Sequence, residues 1–133
     1  MKKEIDQLRR IYCQEVLPER TRTVRLLGRK CSAQLMRTFL GFEVKMGRRR
    51  LTCPDFTTAR YLKIFAELGL KEVEIPYDPT RTAALLPELQ EAFLQLNQKL
   101  EEGGDPVKQR QLAQRRLYAR VRKALGKCGQ EGE

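Results

Sequence analysis

Apolar and polar residues repeat along the chain with two periods, and the changes of period mark out its elements. Ile5, Leu8, Tyr12 and Val16 recur at helical spacing, while Lys2, Lys3, Arg9 and Arg10 fall largely elsewhere. That predicts an amphipathic helix over 3–16, with Pro18 at or just beyond its end. From Phe42 to Met46 the period is two, with Phe42, Val44 and Met46 alternating against Glu43 and Lys45. That predicts a half-buried strand. Gly47-Arg48 suits a two-residue type II′ turn, because glycine takes the positive φ required at the first position. A return strand over 49–53 places Leu51 and Cys53 inward. Pro54 stops it and Asp55 is placed to cap a helix over 56–68. Phe56, Ala59, Leu62, Phe65 and Leu68 or Ala66 form that helix's expected buried stripe, and Gly69 closes it. Val73 and Ile75 then alternate with Glu72 and Glu74, which predicts a third strand over 71–76.

The flanks are less regular. Residues 20–30 read as a strand through Thr21, Thr23 and Val24, or as a short helix closed by Gly28. Leu35, Met36, Phe39 and Leu40, with Ser32 before and Gly41 after, predict a helix over 31–40. Pro79 suits a first helical turn near 79–85, and Pro87 is expected to interrupt before a main helix over 87–100. Leu86, Leu89, Phe93, Leu96 and Leu100 form one stripe there, assigned to the core ahead of a homodimer seam. Glu101-Glu102-Gly103-Gly104 reads as a flexible break. A last helix opens at Asp105-Pro106 and ends at Gly126, with a thin stripe from Val107, Leu117 or Tyr118, Val121 and Leu125. It is expected to be an arm that orders on contact, followed by a disordered tail.

These elements predict an α+β fold: strands 42–46, 49–53 and 71–76 in one small antiparallel sheet, covered by helices 56–68 and 87–100. Residues 1–104 form the compact domain and 105–133 the basic arm. A second arrangement is also open. The order of elements in residues 1–53 resembles a winged helix-turn-helix, which implies a recognition helix at 31–40 presenting Gln34 and Arg37 to bases, and a hairpin wing presenting Arg48 to Arg50 to phosphates.

Charge sharpens the functional reading. The 133 residues carry a formal net charge of +10, which calls for an anionic partner. Residues 1–40 hold 10 basic and 4 acidic side chains, residues 41–104 hold 9 and 10, and residues 105–133 hold 8 and 3. A near-neutral middle thus lies between two basic ends. Three arginine-rich groups stand out. The first is Arg20, Arg22, Arg25, Arg29, Lys30 and Arg37. The second is Lys45, Arg48, Arg49 and Arg50. The third is Arg110, Arg115, Arg116, Arg120, Arg122 and Lys123, with Tyr118 among them as a residue to stack on a base or pack on the body.

Other chemistry is limited. There is no histidine, which removes Ser-His-Asp and Cys-His nucleophile pairs and His-metal sites. Cys13, Cys31, Cys53 and Cys128 contain no C-x-x-C pair, so neither a zinc site nor a disulfide framework is expected, and Cys13 and Cys53 read as reduced, buried thiols. Glu43-x-Lys45 with Pro54-Asp55 resembles the acidic and lysine residues of PD-(D/E)xK nucleases, in reversed order. No cofactor or catalytic residue is assigned. The start of the chain lacks the apolar stretch of a secretory signal and no apolar run is long enough to span a bilayer, so the expected setting is cytoplasmic. The expectation is a non-enzymatic nucleic-acid-binding protein, DNA or RNA, regulatory in one form. The competing class is an adaptor or assembly factor for an acidic protein that also self-associates. Membrane binding through the last helix is disfavoured by its thin apolar side.

Overall fold

A computed structural model describes residues 2–102 and 106–128. The expected tail over 129–133 and Gly103-Gly104 lie outside them. The first helix, α1 (Lys2–Arg10), continues into a π-helical turn over Ile11–Val16. Together they bury Ile5, Leu8, Ile11, Tyr12 and Val16 against the rest of the chain. Five strands and three helices follow: β1 (Thr21–Arg25), β2 (Ala33–Thr38), β3 (Gly41–Met46), β4 (Arg49–Cys53), α2 (Phe56–Leu68), β5 (Glu72–Pro76), α3 (Pro79–Glu102) and α4 (Val107–Leu125). The class is α+β.

The hairpin and its helix form as their residues dictate. Met46 pairs with Arg49 across a two-residue loop. Gly47 sits at φ +62° and, among the described residues, no non-glycine residue has positive φ, so Arg48 does not, the type II′ combination. The Asp55 carboxylate accepts the Thr58 N–H at 2.7 Å, and Gly69 closes α2 at φ +87°.

Four expectations about elements are corrected. Residues 33–38 are a strand, not part of a helix, and pair along the whole of β3. The apolar pairs that suggested a helix separate instead: Leu35 faces the core side of the sheet, while Phe39 and Leu40 form a fully exposed turn. The edge offered by β3 overrides a helical pattern of only two turns. With that strand at position 31–40, the winged-helix arrangement has no recognition helix. Second, β5 does not join the hairpin. It pairs with β1, in the register Val24↔Val73 and Arg22↔Ile75, as a separate two-stranded sheet, so β1 is the strand left undecided over 20–30. Third, Pro87 does not interrupt: α3 is one helix of 24 residues. Pro87 and Ala83 are both exposed, so the carbonyl that loses its helical partner faces water. Its stripe serves the chain's own core, with Leu86, Leu89 and Leu96 buried.

Fourth, α4 is docked. Leu117, Tyr118, Val121 and Leu125 are buried in the same core as Leu8, Ile11 and Phe65, with α4 packed against α1, α2 and α3. Four buried residues at helical spacing are a full core face, although the interleaved arginines make it look thin in sequence. A disulfide joins Cys13 to Cys128, Cα atoms 5.2 Å apart, and ties the end of α4 to the π-helical turn. The expectation of a reduced Cys13 is corrected, because two cysteines 115 positions apart meet only once α4 lies on α1. Cys31 and Cys53 are free thiols. Among the described residues no helix is long and apolar enough to cross a membrane.

The candidate nucleic-acid interface

The packing sorts the arginines into those that hold the fold and those that face water. On α4, residues 116, 120 and 123 recur at i, i+4 and i+7, and the turn that follows carries the spacing on to 127, so Arg116, Arg120 and Lys123 lie along one helix face, opposite the buried one, with Lys127 just beyond its end. All four are exposed, as are Lys108 and Arg115. No acidic residue lies between 106 and 127. Across from this face α1 supplies Lys2 and Arg9, and a groove of about 400 Å³ runs between the two helices. Lys2, Arg9, Arg120, Lys123 and Lys127 line it, with Asp6 its single acid. Arg9 also closes the end of α4, donating Nε–H to the Ala124 carbonyl at 3.1 Å and Nη2–H to the Lys127 carbonyl at 3.3 Å. A cation at a helix C-terminus stabilises the carbonyls left without helical partners.

Two members of the third group, Arg122 and Tyr118, are engaged with the body, and a third, Arg110, is partly withdrawn from the surface. Arg122 donates Nη1–H to the Leu68 carbonyl at 2.5 Å, at the C-terminus of α2. Arg110 is partly buried in a cleft between α3 and α4 with Glu67, Asn97 and Gln114. Tyr118 is only 2% exposed, donates to Asn97 Oδ1 at 2.6 Å and accepts from Gln114 Nε2 at 3.1 Å. Burial pushes its pKa up to about 12. It packs on the body and has no free face for a base.

The first two groups meet in part. Arg49 turns toward β1 and donates Nη1–H to the Leu26 carbonyl at 3.1 Å. A cavity of about 350 Å³ there is lined by Arg25, Arg49, Lys71 and Glu72. Gly28 passes over Lys71, and the backbone of Arg29 and Lys30 lies against Gly69, where an added Cβ would fall 2.6 Å from Lys30 N and 2.9 Å from Arg122 Nη1. Arg25, Arg49, Lys71, Arg29, Lys30 and Arg122 thus follow one another from the hairpin to α4. The remainder lie elsewhere. Lys45 and Arg50 oppose each other on the outer face of the three-stranded sheet, in one row with Gln34. Arg37 points to the other face, opposite Phe42, so Gln34 and Arg37 do not share a surface. Arg22 sits by Cys53, and Arg48 is exposed at the hairpin tip.

Lys2, Arg9, Lys71, Lys108 and Lys127 belong to these surfaces and were not singled out from sequence. Lys2 and Arg9 are seven residues apart, a helical repeat that was legible; their position opposite α4 was not. The nuclease-like residues are engaged separately: Glu43 lies 3.9 Å from Arg50, and Asp55 caps α2. Among the described residues no group of three or more His, Cys, Asp or Glu is placed to hold a metal ion. The chain matches no protein-family model, no curated protein and no solved structure.

Proposed function

We propose that the protein binds nucleic acid without catalysing a reaction on it, through phosphate contacts made chiefly by the exposed face of α4 and the groove it shares with α1. One observation carries the reading: Arg116, Arg120, Lys123 and Lys127 form a stripe free of acids, with Lys2 and Arg9 facing it. Helix-borne cations at regular spacing match a phosphate backbone, and arginine's planar fork favours phosphate oxygens. The basic run from Arg49 to Lys30 supplies a second contact. The contacts in this reading are to phosphates, so binding is indifferent to sequence and regulation would come from occupancy. We place the protein in the cytoplasm, where the bond between Cys13 and Cys128 would be an oxidised, transient form.

The test is a salt titration of binding to mixed-sequence duplex DNA, single strands and RNA. The expected result is a log–log slope of about −0.9 per phosphate neutralised on duplex DNA. No binding to any of the three at low salt would overturn the reading and favour an adaptor for an acidic protein.

A further inference from the structure

The open edge of β2 lies beside an apolar groove, and together they make one surface. The sheet order is β2-β3-β4, so one edge of β2 faces no strand. Among the described residues the backbone of Ala33–Thr38 has no backbone partner beyond β3. Next to it a groove of about 430 Å³ is lined by Leu35 of β2, Arg60, Lys63 and Ile64 of α2, and Phe93 and Leu94 of α3, with no acid in its lining. Leu35 is on the helix-facing side of the sheet. A strand laid about 4.8 Å from β2 would therefore send alternate side chains into this groove. Open edges are commonly blunted by proline, bulges or several charges. β2 has only Arg37, and it leads into the fully exposed Phe39-Leu40 turn.

We propose that this edge and groove dock an extended segment of a partner protein, alternating apolar and acidic residues, which joins the sheet as a strand beside β2. Main-chain hydrogen bonds would supply affinity and the groove would select apolar side chains. Charge selects the acidic residues, which by alternation face the outer side, where the next row is Gln34, Lys45 and Arg50. Arg60 and Lys63 line the groove that takes the apolar side chains. A second copy of the chain fits poorly, since its β2 would carry Arg37 into a groove already holding Arg60 and Lys63. The proposal goes beyond the nucleic-acid reading and uses a different surface.

The test uses the full chain and a fluorescein-labelled synthetic peptide of about eight residues alternating valine and glutamate, followed by fluorescence anisotropy at low salt. Saturable binding is expected, weakened at least tenfold by Leu94→Glu, which alters a half-exposed side chain, and by Phe39→Ser with Leu40→Ser, which alters an exposed turn. N-methylating the peptide amides on alternate residues should abolish binding for one set and spare the other, because only one set faces β2. Amide exchange should slow in residues 33–38. Three results would overturn the proposal. One is equal binding of both methylated peptides, or none of the parent peptide. Another is a dimer of the protein dissolved by Leu94→Glu, which would give the surface to a second copy. The last is loss of oligonucleotide binding in Leu94→Glu, which would give it to nucleic acid.

Discussion

Arg122 Nη1 donates to the Leu68 carbonyl at 2.5 Å, so a residue of the most basic helix closes the C-terminus of the most buried one. The bond divides the arginines of α4 by role. Arg122→Ala leaves a half-enclosed carbonyl without its charged donor, and a stability loss of about 2 kcal/mol is expected in urea melts. Its effect on nucleic-acid binding should not exceed that of one phosphate contact. Arg116→Gln, Arg120→Gln and Lys123→Gln are expected to do the reverse. Each should reduce the salt slope on duplex DNA by about 0.9, with melts shifted by less than about 0.5 kcal/mol. Equal loss of stability across all four variants would show that the exposed face is structural.

The docking of α4 predicts the outcome of truncation. Removing residues 105–133 takes Leu117, Tyr118, Val121 and Leu125 from the core. At about 2 kcal/mol each, their loss is comparable to the whole stability of a small domain, of order 5–15 kcal/mol. The truncated chain is expected to lose its cooperative melt and its near-ultraviolet circular dichroism. A sharp transition in the truncated chain would show that residues 1–104 fold alone.

The Cys13–Cys128 bond closes a loop of 115 residues. Loop-closure entropy for that length is worth about 4–5 kcal/mol. Cys13→Ser, or reductant on the native chain, should lower the urea midpoint by a corresponding amount, with no further effect of reductant on Cys13→Ser. An unchanged midpoint would mean that the bond contributes no net loop-closure stabilisation to the fold.

How much of this was legible in the chain depends on how locally each feature is determined. Asp55, Gly69 and the Gly47-Arg48 turn act within a few residues, and the sequence names them correctly. Leu35 and Met36 sit in a segment whose structure is decided by β3, where they pair with Val44 and Glu43, and local spacing misreads it. Pro87 misleads for the opposite reason: its cost depends on whether the freed carbonyl meets water, which only the exposed side of α3 determines. The three arginine groups were visible as composition. Their roles were not, because Arg122 and Arg49 are distinguished from Arg120 and Arg48 only by the carbonyls that the fold places beside them. Tyr118 likewise became a core residue through Asn97, 21 positions away.

Titration gives the last prediction. Lys99 Nζ lies 2.8 Å from Glu4 Oε1, with Glu4 only 1% exposed. The hydrogen bond from Lys99 holds the Glu4 carboxyl below its usual value of 4.5, outweighing the opposing effect of burial. A carboxyl whose folded pKa is depressed stabilises the fold above its unfolded pKa and loses that contribution as pH falls through the folded value. Stability should therefore fall as pH drops below 4.5 and the drop should be smaller in Glu4→Gln, which has no carboxyl to protonate. At neutral pH Lys99→Ala should destabilise the fold, because it takes from a buried carboxylate the cation that lies 2.8 Å away. At the alkaline end the sign reverses. Tyr118, pushed up to about 12 by burial, stabilises the fold below its ordinary value of 10.0, and the contribution is lost between the two. Tyr118→Phe should cost about 1 kcal/mol at pH 7 through the lost bond to Asn97, and should flatten the loss of stability above pH 10.0. Chemical denaturation at intervals across both ranges measures each slope. An acid slope unchanged in Glu4→Gln would refute the assignment to Glu4, and an alkaline slope unchanged in Tyr118→Phe would move it to the other buried tyrosines, Tyr12 and Tyr61, whose pKa values burial also raises.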